Sequence, residues 1–160
     1  MSLEIIFSAG GATVSFIQVL VVGSDVGNRT ALVNILEECG LEPVIASNVE
    51  EAGNILARRP THVVFCEDNL PDGSFREILR LVRATRPDSQ VVVSSKLGDV
   101  DQYIEAMNLG AFDFIAPPYR DADVISVIDS ACDRYRLKGK DESFLYIQTG
   151  ESPAGGGSMA

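Results

Sequence analysis

Five short apolar runs, each followed by a segment with helical periodicity, run along the chain and leave few folds open to it. Phe16-Ile17-Gln18-Val19-Leu20-Val21-Val22, Pro43-Val44-Ile45-Ala46, His62-Val63-Val64-Phe65-Cys66, Val91-Val92-Val93-Ser94 and Phe112 to Ala116 have the length and β-branched content of strands. Between and after them, apolar residues recur at helical spacing. The sets are Leu32, Ile35, Leu36 and Cys39; Ala52, Ile55 and Leu56; Phe75, Ile78, Leu79 and Val82; Val100, Tyr103, Ile104 and Met107; and Val124, Val127, Ile128, Ala131 and Tyr135. Each set is expected to lay one inward stripe along a helix. Gly40 and Gly110 are natural left-handed helix ends, while Pro60, Pro87 and Pro117-Pro118 stop the preceding elements. Asn48 followed by Glu51 has capping-box spacing. Strict alternation of strand and helix implies right-handed crossovers and a parallel sheet with helices on both faces. The continuous Val/Ile runs suit strands covered on both sides.

This pattern assigns residues 16–138 to one α/β domain. Residues 1–15, with Gly10-Gly11, are expected to be an N-terminal extension, and residues 139–160 a C-terminal tail or linker ending in the flexible composition Ser152-Pro153-Ala154-Gly155-Gly156-Gly157-Ser158. Phe144-Leu145-Tyr146-Ile147 has the character of a short strand, a docking segment or the start of a connection. A chain of 160 residues with 46% hydrophobic and 22% charged residues can bury a full core. Its net charge of -10 argues against binding nucleic acid or an anionic membrane, because phosphates are repelled. No apolar run approaches a membrane span, and the first residues carry Glu4 with no Lys or Arg, unlike a secretory signal. Cys39, Cys66 and Cys132 have no metal-site spacing and lie in apolar stretches, as buried thiols of a reducing compartment do. The expectation is a cytoplasmic module.

In an open parallel sheet, ligands and reactions gather beyond the carboxyl ends of the strands. Those ends are Gly23-Ser24-Asp25, Ser47-Asn48, Glu67-Asp68-Asn69, Ser95-Lys96 and Pro117-Pro118. Here residues 18–137 resemble the receiver domain of bacterial two-component response regulators. Val19-Leu20-Val21-Val22 and the polar triplet after it resemble the family's first strand and acidic cluster. Glu67-Asp68-Asn69-Leu70-Pro71-Asp72-Gly73 resembles its acceptor-aspartate loop, in which the aspartate stands four residues before the proline. Ser95 falls at the switch Thr/Ser, Phe114 at the switch aromatic, and Pro118 at the proline after the family's lysine. The resemblance implies a flavodoxin-like (CheY-like) doubly wound five-stranded parallel sheet of strand order 2-1-3-4-5. It also implies a module of phosphorelay signal transduction, not an enzyme.

The same comparison departs at each chemical position. Where the family has a carboxylate pair to hold Mg²⁺, a cation that takes oxygen ligands, this chain has Gly23 and Ser24, leaving Asp25. The acceptor position holds Glu67, whose extra methylene displaces the carboxylate by roughly a bond length, enough to spoil in-line attack. The lysine position holds Pro117, without charge or N–H. Transfer of a phosphoryl group calls on metal and cation together. The resulting expectation is a pseudo-receiver with no catalytic residue, no metal and no cofactor, working by protein–protein interaction.

Several alternatives stand beside it. Asp25 is expected to cap the first helix. An active phosphoacceptor would have to use Asp25 and Asp68, but adjacent strand residues face opposite ways, so Asp68 is expected to point away from Glu67. The turn Gly23 to Asn28 superficially resembles a phosphate-binding turn, without the third glycine or a Gly-Lys-Ser/Thr ending. His62 starts a strand at the wrong edge of the sheet, and Cys66 is expected to be an inert buried thiol. For Glu67 two outcomes are open. It projects toward Ser95, with Lys96 supplying the cation missing at Pro117, and holds one signalling state; or it is solvated at the rim. The output face implied by the resemblance is helix 4, strand 5 and helix 5, with Glu105, Asn108, Asp113 and Asp123 as its polar positions. It would receive an output domain, kinase or other regulator, or a second copy of the chain.

Overall fold

A computed structural model describes residues 17–96 and 99–139, with side chains described as far as Arg134. The N-terminal extension expected at 1–15, the tail from 140 onward and the Phe144–Ile147 segment lie outside the described residues, as does the side chain of Tyr135. The elements run β1 (Val19–Val22), α1 (Val26–Glu38), β2 (Val44–Ala46), α2 (Val49–Arg58), β3 (Val63–Glu67), β4 (Asn69–Leu70), β5 (Gly73–Ser74), α3 (Phe75–Thr85), β6 (Gln90–Ser94), α4 (Val100–Asn108), β7 (Asp113–Ile115) and α5 (Asp121–Gly139). Among them, no helix is long and apolar enough to cross a membrane.

The five-stranded sheet has the order β2-β1-β3-β6-β7, and every adjacent pair is parallel. Counting only the strands of this sheet, the order is 2-1-3-4-5. β4 and β5 pair antiparallel in a small hairpin, which is what the turn-rich segment after β3 becomes. Strand alternation divides the core into two layers. Val19, Val21, Val63, Phe65 and Val92 pack with Leu32, Leu36, Val124 and Ile128 under α1 and α5. Leu20, Val22, Val64, Cys66, Val91 and Val93 pack with Ala52, Leu56, Phe75 and Ile78 under α2 and α3. Gly40 and Gly110 have φ of 89° and 104°, the left-handed conformation that ends α1 and α4.

Two local expectations are corrected. Asn48 does cap α2, accepting from Glu51 N–H at 2.8 Å, but the Glu51 carboxylate reaches past it to Ser47 N–H at 2.7 Å. The reciprocal capping box is at Ser74 and Glu77, where α3 leaves the hairpin. The second correction concerns α4. Most of its periodic stripe does not face inward: Val100, Tyr103 and Ile104 are 66%, 45% and 47% exposed, while Met107 is partly buried against the α2–α3 layer and Ala106 is the one fully buried residue described in this helix. Periodicity shows that a helix has an apolar side; it does not show that anything covers that side.

Removing the Ser74 hydroxyl leaves the first turn of α3 without its cap. Ser74→Ala should lower unfolding free energy by about 1–2 kcal/mol in urea titration, with an unchanged denaturant slope.

Candidate functional site

The buried run Val63-Val64-Phe65-Cys66 carries Glu67 to the carboxyl rim, where it lies opposite Ser94 of β6. On the other side of β3, Cys66 pairs with Val22, so Gly23 emerges next to Glu67. The Glu67 carboxylate turns back over the end of β1. Its Oε1 accepts the Ser24 N–H at 2.9 Å, and both oxygens lie 3.3 Å from the Asp25 nitrogen. It therefore neither projects toward Ser95 nor stands solvated at the rim. The hydrogen-bond donors of the β1–α1 turn attract it more strongly than a lone hydroxyl would.

Asp25 caps α1, accepting from Asn28 N–H at 3.0 Å, and its other oxygen meets the Lys96 ammonium at 3.1 Å. Lys96 thus serves Asp25, not Glu67. Asp68 is also corrected. β3 ends at Glu67 and the chain bends at Asp68, so strict alternation stops there and the Asp68 side chain stays over the same rim. Its Oδ2 accepts the Ser95 hydroxyl at 2.9 Å and its Oδ1 accepts the Asn69 N–H at 3.0 Å. Asp25, Asn28, Glu67, Asp68, Ser95 and Lys96, with Asp99 and Gln102 from the start of α4, line an open cleft of about 610 Å³.

The remaining candidates are placed elsewhere. Phe114 packs with the α2–α3 layer and meets the Tyr103 ring edge-on at 5.7 Å. Pro117, joined to Pro118 by a cis peptide, does not line the cleft. Glu105 forms a two-pronged ion pair with Arg76 of α3, with Nη2–Oε1 at 2.6 Å. Asn108 is exposed, Asp113 accepts from Phe114 N–H at 2.7 Å, and Asp123 pairs with Arg120 at 3.1 Å. His62 accepts from Gln18 N–H at 2.9 Å at the opposite edge of the sheet.

Tyr119 was not singled out by its sequence. Its hydroxyl shares a 2.6 Å hydrogen bond with Ser94 Oγ, and both residues border a small space that Gly23 and Glu67 also line. The available signal was an aromatic residue with a polar tip directly after the paired prolines. Burial pushes its pKa up, and the charges of Glu67, Asp25 and Asp68 push the same way.

Burial also raises the pKa of Glu67. The Ser24 and Asp25 N–H groups oppose that shift, while the Asp25 and Asp68 carboxylates reinforce it. Asp25 moves down, first through the Asn28 N–H and then through Lys96. The Cys66 thiol is pushed well up by burial and donates to the Glu67 carbonyl at 3.1 Å, which makes it a poor nucleophile. These carboxylates do not fit the Mg²⁺ that the fold family implies. Gly23 and Ser24 offer no carboxylate, Glu67 is turned onto backbone N–H groups, and Asp25 is held by an ammonium. No group of three or more acidic, His or Cys ligands suited to a metal occurs among the described residues.

Because its pKa is raised, Glu67 favours folding most when protonated; that contribution is full below the ordinary carboxylate pKa and is lost as pH rises through the raised value. Glu67→Gln keeps an oxygen acceptor but does not titrate. Its Tm relative to the parent should therefore increase as pH is raised from roughly 4 to 7, which scanning calorimetry will show.

Comparison with known proteins bears on the whole domain. The family model described as "Response regulator receiver domain" matches residues 19–129. A putative NtrX-like response regulator of Rickettsia bellii is 29% identical over 127 residues, covering 78% of this chain and 26% of that protein. The response regulator PilR of Pseudomonas aeruginosa is 32% identical over 99 residues, covering 62% and 22%. The chain thus spans about a quarter of the length of these relatives. The solution structure of the beryllofluoride-activated NtrC4 receiver domain dimer superposes with a TM-score of 0.69 at 29% identity, covering 74% of this chain and 98% of that one. Sheet order and a family-model match across nearly the whole of the described core converge on one assignment: the chain belongs to the response regulator receiver domain family.

Proposed function

We propose that this chain is a receiver module that signals without phosphorylation, by binding a protein partner through the face formed by α4, β7 and α5. The observation that carries this reading is that the rim is satisfied from within. Glu67 is held by Ser24 and Asp25 N–H, Asp68 by the Ser95 hydroxyl, and Asp25 by Lys96. An incoming phosphoryl group would meet three carboxylates and one already paired ammonium. Stabilising its charge needs the reverse balance. Ser95, at the switch position, has its hydroxyl engaged by a resident carboxylate instead of a phosphoryl oxygen.

A module of this kind acts through its surface. Val100, Tyr103 and Ile104 form an exposed apolar stripe on α4, and side chains of this size contribute about 1.5–3 kcal/mol each when fully covered. The Arg76–Glu105 pair braces α4 from the side. The net charge of -10 favours a protein partner over nucleic acid. The related NtrC4 receiver is described as a dimer, which makes a second copy of this chain the first partner to test. Because the chain spans 26% of the NtrX-like relative, a segment of a longer chain is a further class of partner to test.

One observation favours a second reading. Asp68 lines the cleft with Asp25 and Lys96, so an unusual phosphoacceptor centred on Asp68 is geometrically admissible. Incubation with Mg²⁺ and acetyl phosphate, or with beryllofluoride, separates the two. Intact-mass and ¹⁹F NMR measurements should show no adduct on the parent chain; an adduct abolished by Asp68→Asn would establish the second reading instead. For the surface, Ile104→Glu should reduce self-association by about tenfold or more in sedimentation equilibrium, since a buried unpaired carboxylate is costly, while leaving Tm within about 2 °C of the parent.

A further inference from the structure

Gly23 closes β1 in a backbone held from both sides. Its N–H donates to the Ala46 carbonyl at 2.9 Å, and its own carbonyl accepts from Arg29 Nη1 at 2.9 Å. Its φ is not in the left-handed region, which among the described glycines is occupied by Gly40 and Gly110. Conformation therefore does not require glycine here. Space does. A Cβ on residue 23 would stand 2.6 Å from Glu67 Oε2, 2.7 Å from its Cδ and 3.1 Å from its Cγ. These contacts fall on the far end of the Glu67 side chain, so what resists the added Cβ is whatever holds that carboxylate in place. Its carboxylate is pinned by the N–H groups of Ser24 and Asp25, and the side chain is half-buried.

From this we infer that Gly23 and Glu67 form one interlocked unit, in which Glu67 is the resident anion of the β1–α1 turn and Gly23 is the positioning residue that admits it. The methylene by which glutamate exceeds aspartate lets the carboxylate reach across to the neighbouring strand's turn. The missing side chain at residue 23 leaves the volume it enters. An acidic side chain at 23 and a glutamate at 67 in its present rotamer exclude each other sterically, and their two negative charges would add to the conflict. The departures at these two positions are thus a single coupled change, and a carboxylate cannot be restored at residue 23 while Glu67 keeps its present place. The inference concerns the same rim as the proposed function, but it does not depend on how the chain signals.

A double-mutant cycle with an amide readout tests it. Gly23→Ala in the parent chain should lower Tm by roughly 4–10 °C through overpacking. In a Glu67→Ala background the same substitution should be neutral or raise Tm, because alanine at an unstrained position limits the unfolded chain. A merely structural glycine would show an equal loss in both backgrounds, and that result would overturn the interlock. The second readout is the pH titration of the Ser24 and Asp25 amide protons by ¹⁵N–¹H NMR. In the parent both should follow the ionisation of Glu67. Glu67→Gln should abolish that shift, and Gly23→Ala should diminish it by displacing the carboxylate. Amides that titrate identically in the parent and in Glu67→Gln would overturn the assignment of Glu67 as the anion. A phosphoryl adduct on Asp68 would defeat the proposed function and leave the interlock standing, so the two failures are distinguishable.

Discussion

Burial of β3 on both faces governs the rim of the sheet. Val63, Val64, Phe65 and Cys66 are each 1% exposed or less, and their parallel pairing with β1 and β6 admits one register. A slip of one residue would send every side chain to the opposite layer. With the register set, Glu67 must leave the core between Gly23 and Ser94. The chemistry at the rim is therefore decided by what these neighbours offer a half-buried carboxylate.

They offer backbone donors and little positive charge. Desolvation pushes Glu67 toward the protonated acid, and the two N–H groups of the β1–α1 turn act against that push. Asp25, at the same turn, settles its charge with Asn28 N–H and the Lys96 ammonium. Asp68 settles its own with Ser95 and Asn69. Each carboxylate has found a local partner, which makes the cleft self-contained.

The elements and their order were legible because they depend on period and punctuation, which are local. Leu32, Ile35, Leu36 and Cys39 are all buried as their spacing implied, and Gly40 ends their helix in the left-handed conformation. The α4 stripe has the same spacing, yet Val100, Tyr103 and Ile104 are open to solvent and Met107 alone of the four packs inward, because orientation depends on the presence of a covering layer. Positions along the rim were also legible, since strand ends in a parallel sheet meet at one edge. Side-chain direction there was not. Glu67 bonds to a nitrogen 43 residues away, Asp68 escapes strand alternation because β3 has ended, and the Tyr119–Ser94 bond joins a loop to the end of β6 with no shared motif.

The Arg76–Glu105 pair has a consequence of its own. Arg76 follows the capping serine of α3 and lies over the Phe75 ring at 4.7 Å, whereas Glu105 belongs to the helix with the uncovered stripe. Both partners remain roughly two-fifths exposed, so mobile ions reach them and weaken their attraction as salt accumulates. The packing of Ala106 against the sheet is indifferent to salt on that scale. α4 is thereby held both by an ion pair that responds to ionic strength and by apolar packing of Ala106, Met107 and Leu109 that does not, so added salt weakens the first without loosening the second.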